Sequence, residues 1–297
     1  MTLIVLGSAN TDSTVTVERH PRPGETVMGG DVVVGTGGKG ANQALAAARE
    51  GARPVFVGAV GADAGGTELL AALDGGGVDT ALVERRDDAP TGVALITLDR
   101  DGENSIVVAP GANGRLAPER VTAAIAPLLD AGTVLLAQLE VPLPAVEAAA
   151  AAVAAAGGRV VLNLSPSRPV PDALLAVCDP LVVNESEASD LTGTVVADAS
   201  SAAAAALALL ERCRSAVVTL GGEGAVLARR AEGGAAESAA VPAPRVPVVD
   251  TTGAGDAFVG AVAAELHRGG DLVTAVERGV AAGSAAVQWR GAQPPRD

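Results

Sequence analysis

The chain is 297 residues long and 48% hydrophobic, enough apolar material to bury a full core as one large domain or as one domain with an appendage. Its formal net charge is −14 and 1% of its residues are aromatic, so it lacks both the basic surface and the stacking side chains that nucleic-acid binding needs. No apolar run approaches the roughly 20 residues of a membrane span, and the opening MTLIVLGSANTD has neither a basic region nor a cleavage site, which points to a first strand in a cytoplasmic protein.

Leu3 to Gly7 is a continuous apolar strand, and the polar SANTD after it falls where a strand's carboxyl end meets a loop, the place where open α/β sheets bind ligands. Asn10 and Asp12 are candidates for holding adjacent sugar hydroxyls, with an Asx-type turn as the structural alternative. Val15 to Val17 and Thr26 to Val34 read as β segments of a small sheet, separated by the turn HPRPGE. Gly35 to Gly40 then spells G-x-G-x-x-G ahead of an alanine-rich helix. A dinucleotide fingerprint is rejected because the motif does not follow the first strand and the next strand, PVFVGAVG, ends in glycine rather than an acid. A Walker A loop is rejected too, since Val33 and Gly40 stand where Gly and Ser/Thr are required. What remains is a backbone-lined turn offering Gly38, Lys39 and Asn42 to a small polar ligand, and Lys39 is the only lysine in the chain.

A short helix through Leu73 and the hairpin TGVALITLDRDGENSIVVAP follow. Strand and helix then alternate: helix Pro118 to Asp130, strand Thr133 to Ala137, helix Pro144 to Ala156, strand Arg159 to Leu162. These βαβ units predict an α/β fold, a mostly parallel sheet covered by helices on both faces. Glu140, just past a strand end, can reach the carboxyl-edge crevice or be a solvated loop acid. Asn184 and Glu187 stand at i and i+3 where a strand yields to a helix. They read as a capping box, as an acid organising water around Mg²⁺, or as both. After helix Ala199 to Arg212 and strand Ala216 to Leu220, the turn GGEG sets Thr219, Gly221 and Gly224 where backbone could meet phosphate. Cys178 and Cys213 read as buried small hydrophobes, with no disulfide implied. EGGAAESAAVPAPR reads as a low-complexity surface excursion.

PVVD is β-branched and ends at Asp250, while AFVGAVAAELHRG has helical spacing, so DTTGAGDAF marks a strand-to-helix join. Gly253, Ala254 and Gly255 let backbone N–H groups converge on an anion at the positive end of the helix dipole. Asp256 in the first turn is either a dipole-stabilising acid or a general base beside an anion pocket. Asp250 has no obvious basic partner in the sequence. A last helix spans Leu272 to Val287, and Trp289 reads as packing.

Taken together, GSANTD, PGETV, GGKGANQA, TGVALI, GAN at Gly111 to Asn113, QLE at Gln138 to Glu140, NESE at Asn184 to Glu187, TLGGEG and DTTGAGDAF resemble, in order, the segments of the ribokinase-like (PfkB) family of sugar kinases. The resemblance covers nearly the whole chain. It implies ATP-dependent phosphorylation of ribose at its 5-hydroxyl, with Asn10, Asp12, Gly38, Lys39, Asn42, Glu140 and Asp256 around the sugar. Asp256 would be the base and the backbone of Gly253 to Gly255 the anion hole. Asn184, Glu187, Thr219, Gly221, Gly224 and Gly255 would lie along the nucleotide, with Glu187 toward Mg²⁺. It further implies a body formed by residues 1–11, 35–90 and 111–297. Residues 12–34 and 91–110 would make a β lid shared between two subunits of a homodimer. A monovalent cation, K⁺, would be held by Asp250, Thr252, the loop from Ala286 to Gly291, and the position after GAQP. That position is Pro295 here, where the family often has serine, and the chain stops at Asp297, short of a final helix that many relatives carry. A kinase for fructose, deoxyribose or a nucleoside, and a non-catalytic sugar-binding protein on the same fold, are the alternatives.

Overall fold

The computed structural model describes residues 1–231 and 233–294. In chain order its elements begin β1 (Leu3–Leu6), β2 (Asn10–Thr16), β3 (Val33–Gly37), α1 (Lys39–Arg49), β4 (Val55–Gly61), α2 (Ala64–Gly75), β5 (Val83–Arg86), β6 (Gly92–Leu98) and β7 (Asn104–Ala109). They continue with α3 (Pro118–Ile125), β8 (Val134–Ala137), α4 (Leu143–Ala155), β9 (Arg159–Asn163), α5 (Asp172–Leu175), β10 (Cys178–Asn184), α6 (Glu185–Thr192) and α7 (Ala199–Leu209). The remainder are β11 (Ser215–Thr219), β12 (Gly224–Arg230), β13 (Ala236–Pro242), α8 (Ala254–His267) and α9 (Leu272–Ala286).

Nine strands form one sheet in the order β13-β12-β11-β10-β9-β8-β1-β4-β5. The run from β11 to β5 is parallel, and β12 and β13 close one end antiparallel. Parallel strands covered on both faces need apolar side chains on both, which is why β1 and β8 read as unbroken hydrophobic runs and are buried throughout. Along β1 the faces alternate. Ile4 and Leu6 pack into the core roofed by α3 to α7, Leu3 and Val5 into the core roofed by α1, α2, α8 and α9. From β1 the chain goes to β4 on one side and later to β8 on the other, so a crevice opens at the carboxyl ends of these strands.

A second sheet, β3-β2-β6-β7, stands over that crevice. β2 continues β1 after three residues, and Asn10 pairs with Gly37 on one side and Gly92 on the other. The predicted doubly wound parallel sheet with a small extra β-sheet is therefore the fold observed. Differences are local. Thr26 to Val34 is not a strand: turn residues keep most of it irregular, with one isolated bridge from Val17 to Gly29, and β3 starts only at Val33. PVVD is not a strand either. Val249 N and Asp250 N donate to Val287 O (2.7 and 3.2 Å), tying the segment to the end of α9 rather than to a ladder. Conversely, the low-complexity stretch contains β13, an exposed edge strand whose Glu237 pairs with Arg229 of β12. Helix α3 ends at Ile125, short of the predicted Asp130, where Pro127 enters a 3-10 turn.

Candidate active site

Two helix starts meet at the crevice. α1 follows Gly38, whose φ is 88° and where an added Cβ would lie 2.9 Å from Ala9 Cα, Asn10 N and Ser8 O. Only glycine passes there. α8 follows Gly253 (φ 77°, ψ 0°), and a Cβ at that position would sit 2.6 Å from Ala292 Cα. Neither helix has a side-chain cap, so the positive end of each dipole points into the crevice. The helices also lie close together, because Gly260 of α8 faces α1 with room for no side chain: a Cβ would be 2.5 Å from Gln43 O.

This close approach brings Asp256 to Asn42 and Gln43. Asn42 Nδ2 donates to Asp256 Oδ2 (3.1 Å) and Gln43 Nε2 to Asp256 Oδ1 (2.9 Å). Behind them the amide orientations are fixed in series. Arg49 can only donate, and it donates to Gln293 Oε1 (3.0 Å), so Gln293 presents Nε2 to Asn42 Oδ1 (2.7 Å) and leaves Asn42 Nδ2 for the carboxylate. Gln43 is set likewise, its Oε1 accepting from Gln138 Nε2 (2.7 Å) while its Nε2 is shared with Asn163 Oδ1 (3.0 Å). Burial pushes the Asp256 carboxyl above its ordinary range, opposed by Lys39 and the two amides and reinforced by Glu140.

On the side of the small sheet, Glu140 Oε2 accepts from Ser8 Oγ (2.5 Å) and from Lys39 N (3.1 Å), which anchors it at the start of α1 rather than in solvent. Asp12 lies on β2 with Oδ1 buried and unpartnered among the described residues, and a Cβ on Gly37 would strike its carboxyl. Burial, then repulsion from Glu140 and Asp256, raises its pKa to about 6. Asn10 is likewise a strand residue, not an Asx turn, and is 2% exposed.

On the other side, a cleft of about 170 Å³ runs from Lys39, Gly253, Gly255 and Asp256 to Asn184, Glu187 and Thr219. The capping box is present: Glu187 N donates to Asn184 Oδ1 and Asn184 N to Glu187 Oε2, both 2.9 Å. Burial raises the Glu187 carboxyl. Gly221 and Gly224 do not line this cleft. Gly224 (φ 105°) serves the turn into β12, where a Cβ would run into Val241 O. A larger space of about 590 Å³ lies between the small sheet, α2 and residues 291–293, and none of Asp12, Lys39, Glu140 or Asp256 lines it, whereas Lys39 and Asp256 line the smaller cleft.

Asp250 is not without partners. Its Oδ1 accepts from Thr252 N (2.9 Å) and its Oδ2 from Gly291 N (2.8 Å). Partial burial works against ionisation, yet these N–H groups and the Arg290 charge hold its carboxyl below the usual range. Asp250, Thr252 and Gly291 are thus brought together beside Gly253, and Ala286 is buried at the end of α9. Pro295 lies outside the described residues. Reading the sequence missed Ser8, Gln43, Gln138, Asn163 and Gln293. Gln43 and Gln138 are wholly buried, and an amide inside an alanine-rich helix beside Asn42 was the available signal.

Residues 2–297 match the family described as pfkB family carbohydrate kinase. A ribokinase from Haemophilus influenzae is 38% identical over 293 residues, covering 98% of this chain and 94% of the relative. The solved structure of Arabidopsis thaliana ribokinase complexed with ribose and ATP superposes with a TM-score of 0.85 at 35% identity, covering 98% of this chain and 94% of that one. The phosphofructokinase-2 of Escherichia coli in complex with potassium gives a TM-score of 0.80 at 25% identity, covering 98% and 94%. Both sheets and all the motifs gathered at the crevice fall within the matched span, and this chain belongs to the pfkB family of carbohydrate kinases.

Proposed function

We propose that the protein phosphorylates D-ribose at its 5-hydroxyl with ATP as donor, giving ribose 5-phosphate. One juxtaposition carries the reading: the Asp256 carboxylate, gripped by two amides in the first turn of α8, lies at the boundary between the sugar-side acids and the cleft that runs to Asn184 and Thr219. Ribose would sit among Asn10, Asp12, Gly38, Lys39, Asn42 and Glu140. Asp256 takes the proton of the 5-hydroxyl as that oxygen bonds to the γ-phosphorus and the bond to ADP breaks. Backbone N–H groups of Gly253, Ala254 and Gly255, at the positive end of α8, take up charge on the transferred group. The nucleotide would extend along Asn184, Glu187 and Thr219 toward the turn of Gly221 and Gly224.

The donor set fits Mg²⁺ arriving on the nucleotide, since Glu187 offers a single carboxylate at the Asn184 and Thr219 end of the cleft and magnesium keeps most of its waters. Asp250 with carbonyl oxygens of Thr252, Ala286 and Gly291 would hold K⁺, which supplies positive charge beside the anion hole. The small sheet, residues 12–34 and 91–110, would act as a lid on a body formed by 1–11, 35–90 and 111–297. Its face away from Asp12 exposes Val34 (60%), Leu95 (54%) and Val107 (64%) in one register across the strands, an apolar surface suited to a second copy in a homodimer. A cytoplasmic setting, where ATP is made, belongs to the same reading.

The test is ADP release from MgATP with ribose, deoxyribose, fructose and a nucleoside, in KCl and in NaCl. Ribose in KCl is expected to give the highest kcat/KM. No sugar-dependent ADP, or equal rates without K⁺, would overturn the sugar or the cation assignment respectively.

A further inference from the structure

The segment Gly111 to Asn113 has no part in the chemistry above, yet its last side chain sits where the two sheets join. Asn113 is 1% exposed, in a 3-10 turn (Gly111–Arg115) between β7 and α3. Its amide is fully used: Oδ1 accepts from Ala9 N (2.9 Å), and Nδ2 donates to Ala9 O (3.0 Å) and to Asn10 Oδ1 (2.8 Å). The polarity of this chain of bonds is forced. A backbone N–H only donates, so the Asn113 atom facing Ala9 N is its oxygen and the other end is its NH₂. The Asn10 atom facing that NH₂ must then be an oxygen. Asn10 is locked with Oδ1 inward, and its Nδ2 has no partner among the described residues.

Three passages of chain between the sheets converge here. Asn10 opens β2 opposite Gly92 of β6, Ala112 N donates to Pro90 O (2.8 Å), and a Cβ on Gly92 would strike the amides of both Asn10 and Asn113. We propose that Asn113 is a positioning residue for sugar recognition: it fixes the Asn10 side chain as a hydrogen-bond donor to a sugar oxygen. This rests on the reading of the site as a sugar kinase. It gives the sugar pocket complementary polarity, because Asp12 and Glu140 can only accept when ionised and a hydroxyl needs both a donor and an acceptor.

Asn113→Asp keeps the acceptor for Ala9 N–H but cannot donate. Its carboxylate draws the Asn10 NH₂ inward and turns Oδ1 to the sugar. The expected result is a KM for ribose raised about tenfold or more, the worth of one hydrogen bond to a sugar. The KM for ATP and kcat at saturating ribose should stay within about threefold. Asn10→Asp, which presents an acceptor with Asn113 intact, should raise the ribose KM similarly. In an Asn10→Ala background Asn113→Asp should add nothing. An equal further loss in that background, or an equal rise in the KM for ATP, would make Asn113 merely structural. Should Asn113→Asp fail to fold, side-chain amide exchange by NMR in the wild type decides. Asn113 NH₂ is expected to be protected throughout, and Asn10 NH₂ to become protected only when ribose binds. An Asn10 amide already protected without sugar, or unchanged by it, overturns the proposal. Wild-type protein that shows no sugar-dependent ADP release fails the kinase reading instead, before any variant is compared.

Discussion

Asp12, Glu140 and Asp256 bring three carboxyl groups together near Lys39, and burial first, with repulsion among them adding to it, raises the pKa values of Asp12 and Asp256. Raised from 3.8 to about 6, the charge on Asp12 opposes folding above about pH 6, and that cost disappears as the pH falls toward the unfolded value. Asp12→Asn should therefore stabilise the free protein at pH 8, by at most about 3 kcal/mol, with the gain fading by pH 4. It should weaken ribose binding at the same time. Melting curves at the two pH values check this, and an equal shift at both would show that Asp12 ionisation is not the cause. Lys39 acts in the other direction, pulling the Asp256 carboxyl down. With saturating ribose, Lys39→Met should move the acid limb of the kcat–pH profile to higher pH, since the base then needs less acid to stay protonated. A limb that stays in place would separate Lys39 from the titration of Asp256.

At the level of elements, the site depends on how closely α1 and α8 approach, because Asn42 and Gln43 ride on one and Asp256 on the other. Gly260→Val forces a side chain into space where Gln43 O is 2.5 Å from any Cβ. We expect a loss of about 1 to 3 kcal/mol in stability, the usual cost of overpacking, together with a lower kcat. Unchanged kcat in a destabilised variant would mean that helix spacing does not reach the catalytic amides. The elements themselves were largely legible in the sequence, since apolar runs such as LIVL and VLLA and the alanine-rich helices carry their period locally. The failures share a cause. PVVD has strand composition but finds its hydrogen bonds at Val287, and β13 has little strand composition but finds an open edge at β12. Partners distant in sequence decided both. The same holds at the site. Asp256, Asn42 and Glu140 were readable from their motifs, whereas Gln293 reaches Asn42 across 251 positions and no local pattern reports that contact.

On the proposed reading, the sugar would lie under the small sheet and the nucleotide along the large one, with Asp256 where the two meet. If the small sheet is also the interface between two copies, the outward pair Leu95 and Val107, directly opposite on β6 and β7, lies in it. Replacing both with lysine should convert a dimer to a monomer in sedimentation velocity and raise the KM for ribose. A double variant that sediments as the wild type would place the interface elsewhere. The claim on which all of this rests is that Asp256 removes the proton from the sugar hydroxyl. It is tested most directly by single-turnover transfer of the γ-phosphate from MgATP to ribose, both saturating, in the wild type and in Asp256→Asn. The variant keeps the shape and removes the proton acceptor, so the transfer rate should fall by roughly 10² to 10⁴ while ribose and ATP still bind. A loss smaller than about threefold would reduce Asp256 to an acid at a helix start and contradict the account.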